Sequence, residues 1–174
     1  MFKNNFFKLI ALMLVITFLS CNRENIVFNE FRDLPNSNWS YLDTLNFDVS
    51  IADTLNNFDV DLQLRTSTDY KWSNMYLYAE IDFPNGKSRS DTFQLFITDK
   101  KGHWNGEKSG LLVNFQYSLY RKIKFPIKGE YHFKLNQAMR DTVLENILSL
   151  GLKITNSTES VSYTHLRAHE TLPY

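Results

Sequence analysis

The stretch Phe58-Asp59-Val60-Asp61-Leu62-Gln63-Leu64 alternates apolar and polar residues without a break. Successive side chains of a strand point to opposite faces. The pattern therefore fits a strand with one face on a core and the other in water, whereas a helix would scatter the apolar groups around its circumference. Leu45, Phe47, Val49 and Ile51 repeat it, alternating with Asn46, Asp48 and Ser50. The polar segment 52–57 between these runs reads as a hairpin loop. Leu77, Ala79, Ile81 and Phe83 share a face that ends at the turn residues Pro84-Asn85-Gly86. Further strands are predicted around Phe93, Leu95 and Ile97, from Leu111 to Leu119, through Tyr131, Phe133 and Leu135, and through Leu150, Leu152 and Ile154, with a shorter first strand over Ile26 to Phe31. Helical spacing occurs in one place, where Met139, Val143, Leu144, Ile147 and Leu148 fall on one side of a short helix near the C-terminus. Roughly seven or eight strands and one short helix predict an all-β fold, an antiparallel two-sheet β-sandwich with jelly-roll-like connections. A closed barrel is the architectural alternative.

The N-terminus obeys a different rule. Leu9 to Leu19 is an apolar run that stops at the lone cysteine of the chain. As a helix it would rise about 16 Å, half of a hydrocarbon core, so it is too short to span a bilayer. Lys3 and Lys8 precede it and no acidic residue comes before Glu24. A basic start, a short apolar region and a small residue at the boundary make a secretory signal peptide. Phe18-Leu19-Ser20-Cys21 resembles a bacterial lipobox, with Phe18 where leucine is usual. Residues 1–20 are therefore expected to be removed, Cys21 to carry a covalent lipid, and residues 21–25 to form a short tether to a single sandwich domain over 26–160. Acyl chains contribute about 0.8 kcal/mol per buried methylene, so several of them hold a protein to a bilayer almost permanently. With one cysteine, no intrachain disulfide is available and the core alone must hold the fold.

The chain has 19 basic and 19 acidic residues, and loss of Lys3 and Lys8 leaves the mature form slightly acidic. That balance excludes the basic footprint of a nucleic-acid binder. No serine lies in a nucleophile elbow and no thiol is left for catalysis, so no catalytic residue, no enzyme activity and no cofactor beyond the Cys21 lipid is expected. Asp48, Asp59 and Asp61 would suit Ca²⁺ if a hairpin brought them together, but a solvated strand face is the better reading and no metal site is assigned. The aromatic side chains are the stronger candidates. Tyr76 and Tyr78 occupy the strand face opposite Leu77 and Ala79, together with Glu80, and Trp104 lies in a glycine-rich turn beside His103. Tyr76, Tyr78, Glu80 and Trp104 are the candidate partner-binding residues, Tyr120 is expected to point outward with them, and Trp39 and Trp72 to plug the core. Exposed rings on a sandwich serve either a protein partner or a glycan.

Two segments carry a resemblance: "YLDTLNFDVSIADTLNNFDVDLQLRTSTDYKWSNMYLY" and "GEYHFKLNQAMRDTVLENILSLGLKI". Their more specific elements are Leu64-Arg65, Asp69-Tyr70, Ser73-Asn74 and Gln137-Ala138-Met139-Arg140. With the lipobox start, the chain resembles the gliding-motility lipoprotein family GldH. The resemblance implies an outer-membrane-associated lipoprotein that acts through other proteins of the gliding and secretion machinery, without catalysis. The absence of an acidic run after Cys21 favours the periplasmic face. A carbohydrate-binding sandwich is the alternative function. The tail 161–174, "VSYTHLRAHETLPY", continues no periodicity and resembles translated sequencing-adapter read-through, so His165 and His169 are not read as a metal pair. We predict that metabolic labelling with an alkyne fatty acid tags the wild type and misses Cys21→Ala; label on both, or on neither, would refute lipidation at Cys21.

Overall fold

A computed structural model describes residues 25–157. The expected signal peptide, Cys21 and the tail 161–174 lie outside the described residues. In chain order the elements are β1 (Ile26–Asp33), a 3-10 turn (Pro35–Ser37), β2 (Asn38–Ser40), β3 (Leu45–Ile51), β4 (Phe58–Ser67), β5 (Asn74–Asp82), β6 (Ser88–Phe96), β7 (Glu107–Ser109), β8 (Leu112–Ile123), β9 (Gly129–Gln137), β10 (Val143–Glu145) and β11 (Ile147–Asn156). They form a five-stranded sheet in the order β1-β11-β4-β8-β7 and a four-stranded sheet in the order β3-β9-β5-β6, with β2 and β10 paired apart.

The antiparallel pairs are nested. β1 pairs with β11, β3 with β9, β4 with β8 and β5 with β6. Such a set is one long hairpin whose pairs fall alternately into one sheet and the other, which is the jelly-roll wrap of a sandwich. Segment 52–57 is therefore no hairpin loop. It carries the chain from β3 in one sheet to β4 in the other, and it separates Asp48 from Asp59 and Asp61.

The alternation seen in the sequence is the one that fills the space between the sheets. Phe47, Val49, Ile51, Phe58, Val60, Leu62, Leu64, Leu77, Tyr131, Phe133, Leu135, Leu152 and Ile154 are all buried. At about 25 cal/mol for each Å² of apolar surface removed from water, they supply most of the favourable free energy. Trp39 is fully buried, its indole N–H donating to the Asp43 carbonyl at 2.9 Å. Trp72 is 40% exposed, contrary to the expected plug.

Three further expectations fail for local reasons. First, the described residues contain no α-helix. The segment read as helical is the end of β9, a loop, β10 and the start of β11. Leu144 faces Trp39 across the β2–β10 pair, and Ile147 opens β11. Asn146 between them takes a left-handed conformation (φ 67°), so an i, i+3 spacing arises where two strands meet at a kink. Second, Tyr120 is buried, not outward. A register shift between β4 and β8 at Val60 and Asp61 inserts an extra residue, so Leu119 and Tyr120 are both buried. The Tyr120 hydroxyl donates to Asp91 at 2.6 Å, and Arg89 pairs with the same carboxylate at 2.8 Å. Third, Asp61 is 4% exposed rather than solvated. It accepts from Gln116 Nε2 at 2.9 Å, and Arg121 Nη2 lies 3.1 Å from its other oxygen. Arg121 also reaches Asp59 at 3.4 Å, while Arg65 donates to Asn114 at 2.9 Å.

The outer face of the larger sheet has one tight contact. Phe31 on β1 lies over Gly151 on β11, and a Cβ at Gly151 would come within 2.8 Å of the ring. Glycine there lets an aromatic side chain cover an otherwise bare stretch of strand.

We predict that Leu62→Asp prevents folding, since it buries an unpaired charge. Arg121→Ala should lower the stability in urea by about 1–2 kcal/mol, discounted for its half-exposed guanidinium, because it strands the buried Asp61 carboxylate. Lys108→Ala, on the exposed edge strand β7, should change it by less than about 0.5 kcal/mol. Equal losses from the arginine and lysine variants would contradict this account.

Candidate functional site

β5 turns Met75, Leu77, Ala79 and Ile81 into the core and Tyr76, Tyr78 and Glu80 outward. Tyr76 is 40% and Tyr78 36% exposed, on the outer face of the four-stranded sheet. Their neighbours on that face are small or polar: Gln94 and Thr92 across β6, and Asn136 across β9. Phe96, exposed and opposite Asn74, extends the aromatic strip at the end of β6. Glu80 is half-buried and fully engaged. Lys134 Nζ lies 3.1 Å from it and 2.7 Å from Asp82, and the Tyr78 hydroxyl donates to Glu80 at 3.4 Å. This ion-pair row anchors the strip rather than offering a free charge.

Tyr76 also lines a cleft of about 610 Å³ with Trp72, Asn74, Met139, Arg140 and Asp141. Its walls are fixed by a dense set of bonds. Gln137, itself buried, donates to the Asp141 carbonyl and accepts from the Met139 N–H, both at 2.8 Å. The Ala138 N–H donates to the Tyr76 carbonyl at 2.8 Å, and the Met139 sulfur accepts from the Tyr76 N–H at 3.2 Å. Asp141 takes the Trp72 indole N–H at 3.0 Å and Lys71 Nζ at 3.1 Å, and the Lys71 ammonium sits 5.0 Å from the centre of the Trp72 ring. The Lys71 bond, then the Trp72 bond, hold the Asp141 carboxyl below the ordinary carboxylate range. Residues 69–74 and 137–140, the later elements of the resemblance noted above, meet in this cleft although they are far apart in the chain. The sequence carries no signal that Trp72, Phe96, Met139, Arg140 and Asp141 belong to a site with Tyr76. Trp72 sits in a polar inter-strand segment with no alternation to orient it, and Met139 was assigned to a helix that does not form.

Trp104 belongs elsewhere. Its ring meets Phe115 with centroids 6.5 Å apart, beside a groove of about 630 Å³ lined by Phe31, Gln63, Arg65, Asn114 and Gln116 of the five-stranded sheet. The four candidate residues therefore split into a set of three on one sheet and Trp104 at the other. His103, beside it, pairs with Asp99 at 3.0 Å in an exposed turn.

Asp48, Asp59 and Asp61 are not together. Asp48 instead approaches His132 at 2.7 Å, with Glu130 near both, and all three are exposed on the smaller sheet. The Asp48 hydrogen bond raises the His132 pKa above the ordinary 6.5, helped by the charges of Asp48, Glu130 and Asp82. A group with a raised folded-state pKa contributes stability that is fully present below the unfolded value and is lost as pH rises through the folded one. An NMR titration of His132 should therefore give a midpoint above 6.5, and Asp48→Asn should lower it. The advantage of wild type over Asp48→Asn should fade as the pH rises through that midpoint; an unshifted midpoint would contradict the pairing.

The aromatic cleft and strip present rings, a thioether and an arginine at the rim, on a face braced by bonds within the chain. Comparison with known proteins agrees with the resemblance read from the sequence. Residues 26–154 match the family described as GldH lipoprotein. The gliding motility lipoprotein GldH homolog of Christiangramia forsetii is 30% identical over 155 residues, covering 85% of this chain and 94% of its own. Gliding motility lipoprotein GldH of Flavobacterium johnsoniae is 26% identical over 152 residues, covering 83% and 93%. Among solved structures, dimeric latent PorU of Porphyromonas gingivalis aligns over 80% of this chain and 14% of its own at 14% identity, with a TM-score of 0.33. The match over most of the chain settles the family: the protein belongs to the GldH lipoproteins.

Proposed function

We propose that this protein is a lipid-anchored, non-catalytic component of a gliding-motility apparatus, which holds another protein of that apparatus on the face formed by Trp72, Tyr76, Tyr78 and Met139. The names of its relatives support the process, and the exposed rings beside the cleft support binding as the mode of action. The observation that carries the reading is that the exposed rings of β5 and Trp72 border the loop 138–141, which Gln137, Tyr76 and Trp72 bond into place. Such a surface loses little conformational freedom on binding. Acylation of Cys21 would hold the domain at the outer membrane, facing the periplasm.

The groove by Trp104 favours a second reading. Amide side chains from Gln63, Asn114 and Gln116 beside the Phe31 ring are a lining suited to a glycan.

Tyr76→Ala with Tyr78→Ala should leave the circular dichroism spectrum unchanged and cost about 1 kcal/mol or less per ring in stability. The same pair should stop cell spreading and weaken co-purification of the partner, since an anchoring ring contributes about 2 kcal/mol or more to binding. Normal spreading by a stable double variant would remove this face from the account. Glycan-array binding that is lost with Gln63→Ala, in cells whose gliding survives full deletion, would put the carbohydrate reading in its place.

A further inference from the structure

We infer that one end of the sandwich rests on a membrane surface carrying anionic headgroups, through Leu55 and a set of four lysines; this rests on the proposed acylation of Cys21. The strand directions define that end. β1 begins there, β11 finishes there, and loops 52–57, 83–87 and 124–128 turn there. The Asn25 carbonyl accepts from the Asn156 N–H at 2.9 Å, and the Asn57 carbonyl accepts from the Ser157 N–H at 2.8 Å. The point where the chain enters the domain is thus bonded into the same corner as loop 52–57. The steps from Cys21 to Asn25 span at most about 14 Å fully extended, so an acylated Cys21 keeps this corner within a short reach of the bilayer.

The chemistry of the corner fits what it would meet. Leu55 is 83% exposed. Asp53 holds it out, its Oδ1 accepting the Leu55 N–H at 2.7 Å and the Asn56 N–H at 3.4 Å, so the leucine sits on a fixed turn. Lys87 in the β5–β6 turn, Lys122 at the end of β8, and Lys124 and Lys128 in the following loop are all exposed. Lys122 is pinned by its backbone N–H, which donates to Asp59 at 2.8 Å. The acidic groups here are accounted for. Asp53 is engaged by its turn, with Lys128 close enough to favour its ionised form, Asp59 and Asp61 face Arg121, Asp82 pairs with Lys134 at 2.7 Å, and Glu130 lies beside His132 on the sheet face. At the opposite end the loops balance Lys71, Lys100, Lys101 and Arg140 with Asp43, Asp69, Asp99, Asp141 and Glu145. Lys87, Lys122, Lys124 and Lys128 thus project from the corner nearest the anchor, while Asp59, Asp61 and Asp82 are held back against Arg121 and Lys134. Lysines near an anionic surface and an apolar side chain at headgroup depth act together in peripheral membrane contact.

The test uses the full acylated protein in phosphatidylethanolamine vesicles containing phosphatidylglycerol. Acylation blocks the thiol of Cys21, so Leu55→Cys provides one site for a bimane label, and Leu42→Cys at the far end provides the control. A spin-labelled lipid should quench the label at 55 and leave the label at 42 bright. Lys122→Glu, Lys124→Glu and Lys128→Glu introduced together, or omission of phosphatidylglycerol, should shift the label at 55 away from the bilayer, by roughly fivefold in contact equilibrium for each lysine lost. No quenching at 55, equal quenching at both sites, or indifference to charge would overturn the inference while leaving the anchor intact. An unacylated Cys21 by mass spectrometry would overturn the anchor, and this inference with it.

Discussion

The pairing of β1 with β11 is the contact on which the rest depends. The other nested pairs lie inside it: β2 with β10, β3 with β9, β4 with β8, β5 with β6. The first and last strands must meet before the larger sheet acquires its outer edge, and before the Asn25 corner is tied to Asn156. Contacts so distant in sequence are slow to form, because the entropy of closing long loops is lost before the core repays it. They also make the two ends of the domain neighbours. A tether at the N-terminus therefore positions an entire end of the molecule, not a single strand.

Much of this was legible in the sequence, because the alternation of β3, β4, β5 and β9 has one physical meaning. A strand buried on one side must place Phe47, Val60, Leu77 and Phe133 inward, whatever its neighbours are. Pairing partners are another matter. Segment 52–57 looked like a hairpin because a short polar link says nothing about which sheet the next strand joins. Asp61 looked solvated because alternation reports the side of a strand but not what covers it, and Arg121 reaches that side only through a bulge near Tyr120. The helical spacing from Met139 to Leu148 came from two strands broken at Asn146, a conformation that asparagine permits and the apolar pattern does not record.

At the site, the outward direction of Tyr76 and Tyr78 followed from the same period. The cleft did not. It depends on Gln137 folding the 138–141 loop back against β5, and on Asp141 holding Trp72 in place. Those are side-chain bonds between segments far apart in the chain, and no local pattern announces them. Trp104 shows the opposite limit: an aromatic residue in a loop has no strand phase, so its side of the molecule could not be read.

One detail of β6 bears on how such domains coexist. Arg89 and Asp91 face the same side as Ile81 and Ala79, the core side, on a strand with an open edge. Arg89 covers the Tyr120 ring at 4.9 Å while Asp91 takes the Tyr120 hydroxyl. Another copy adding a strand along that edge would extend the sandwich over an ion pair instead of over apolar side chains, and would have to strip water from both charges. Edge strands that carry inward charge resist such growth. For molecules held in a membrane plane, where collisions are more frequent than in free solution, such an inward charge pair on the open edge would oppose their joining into continuous sheets.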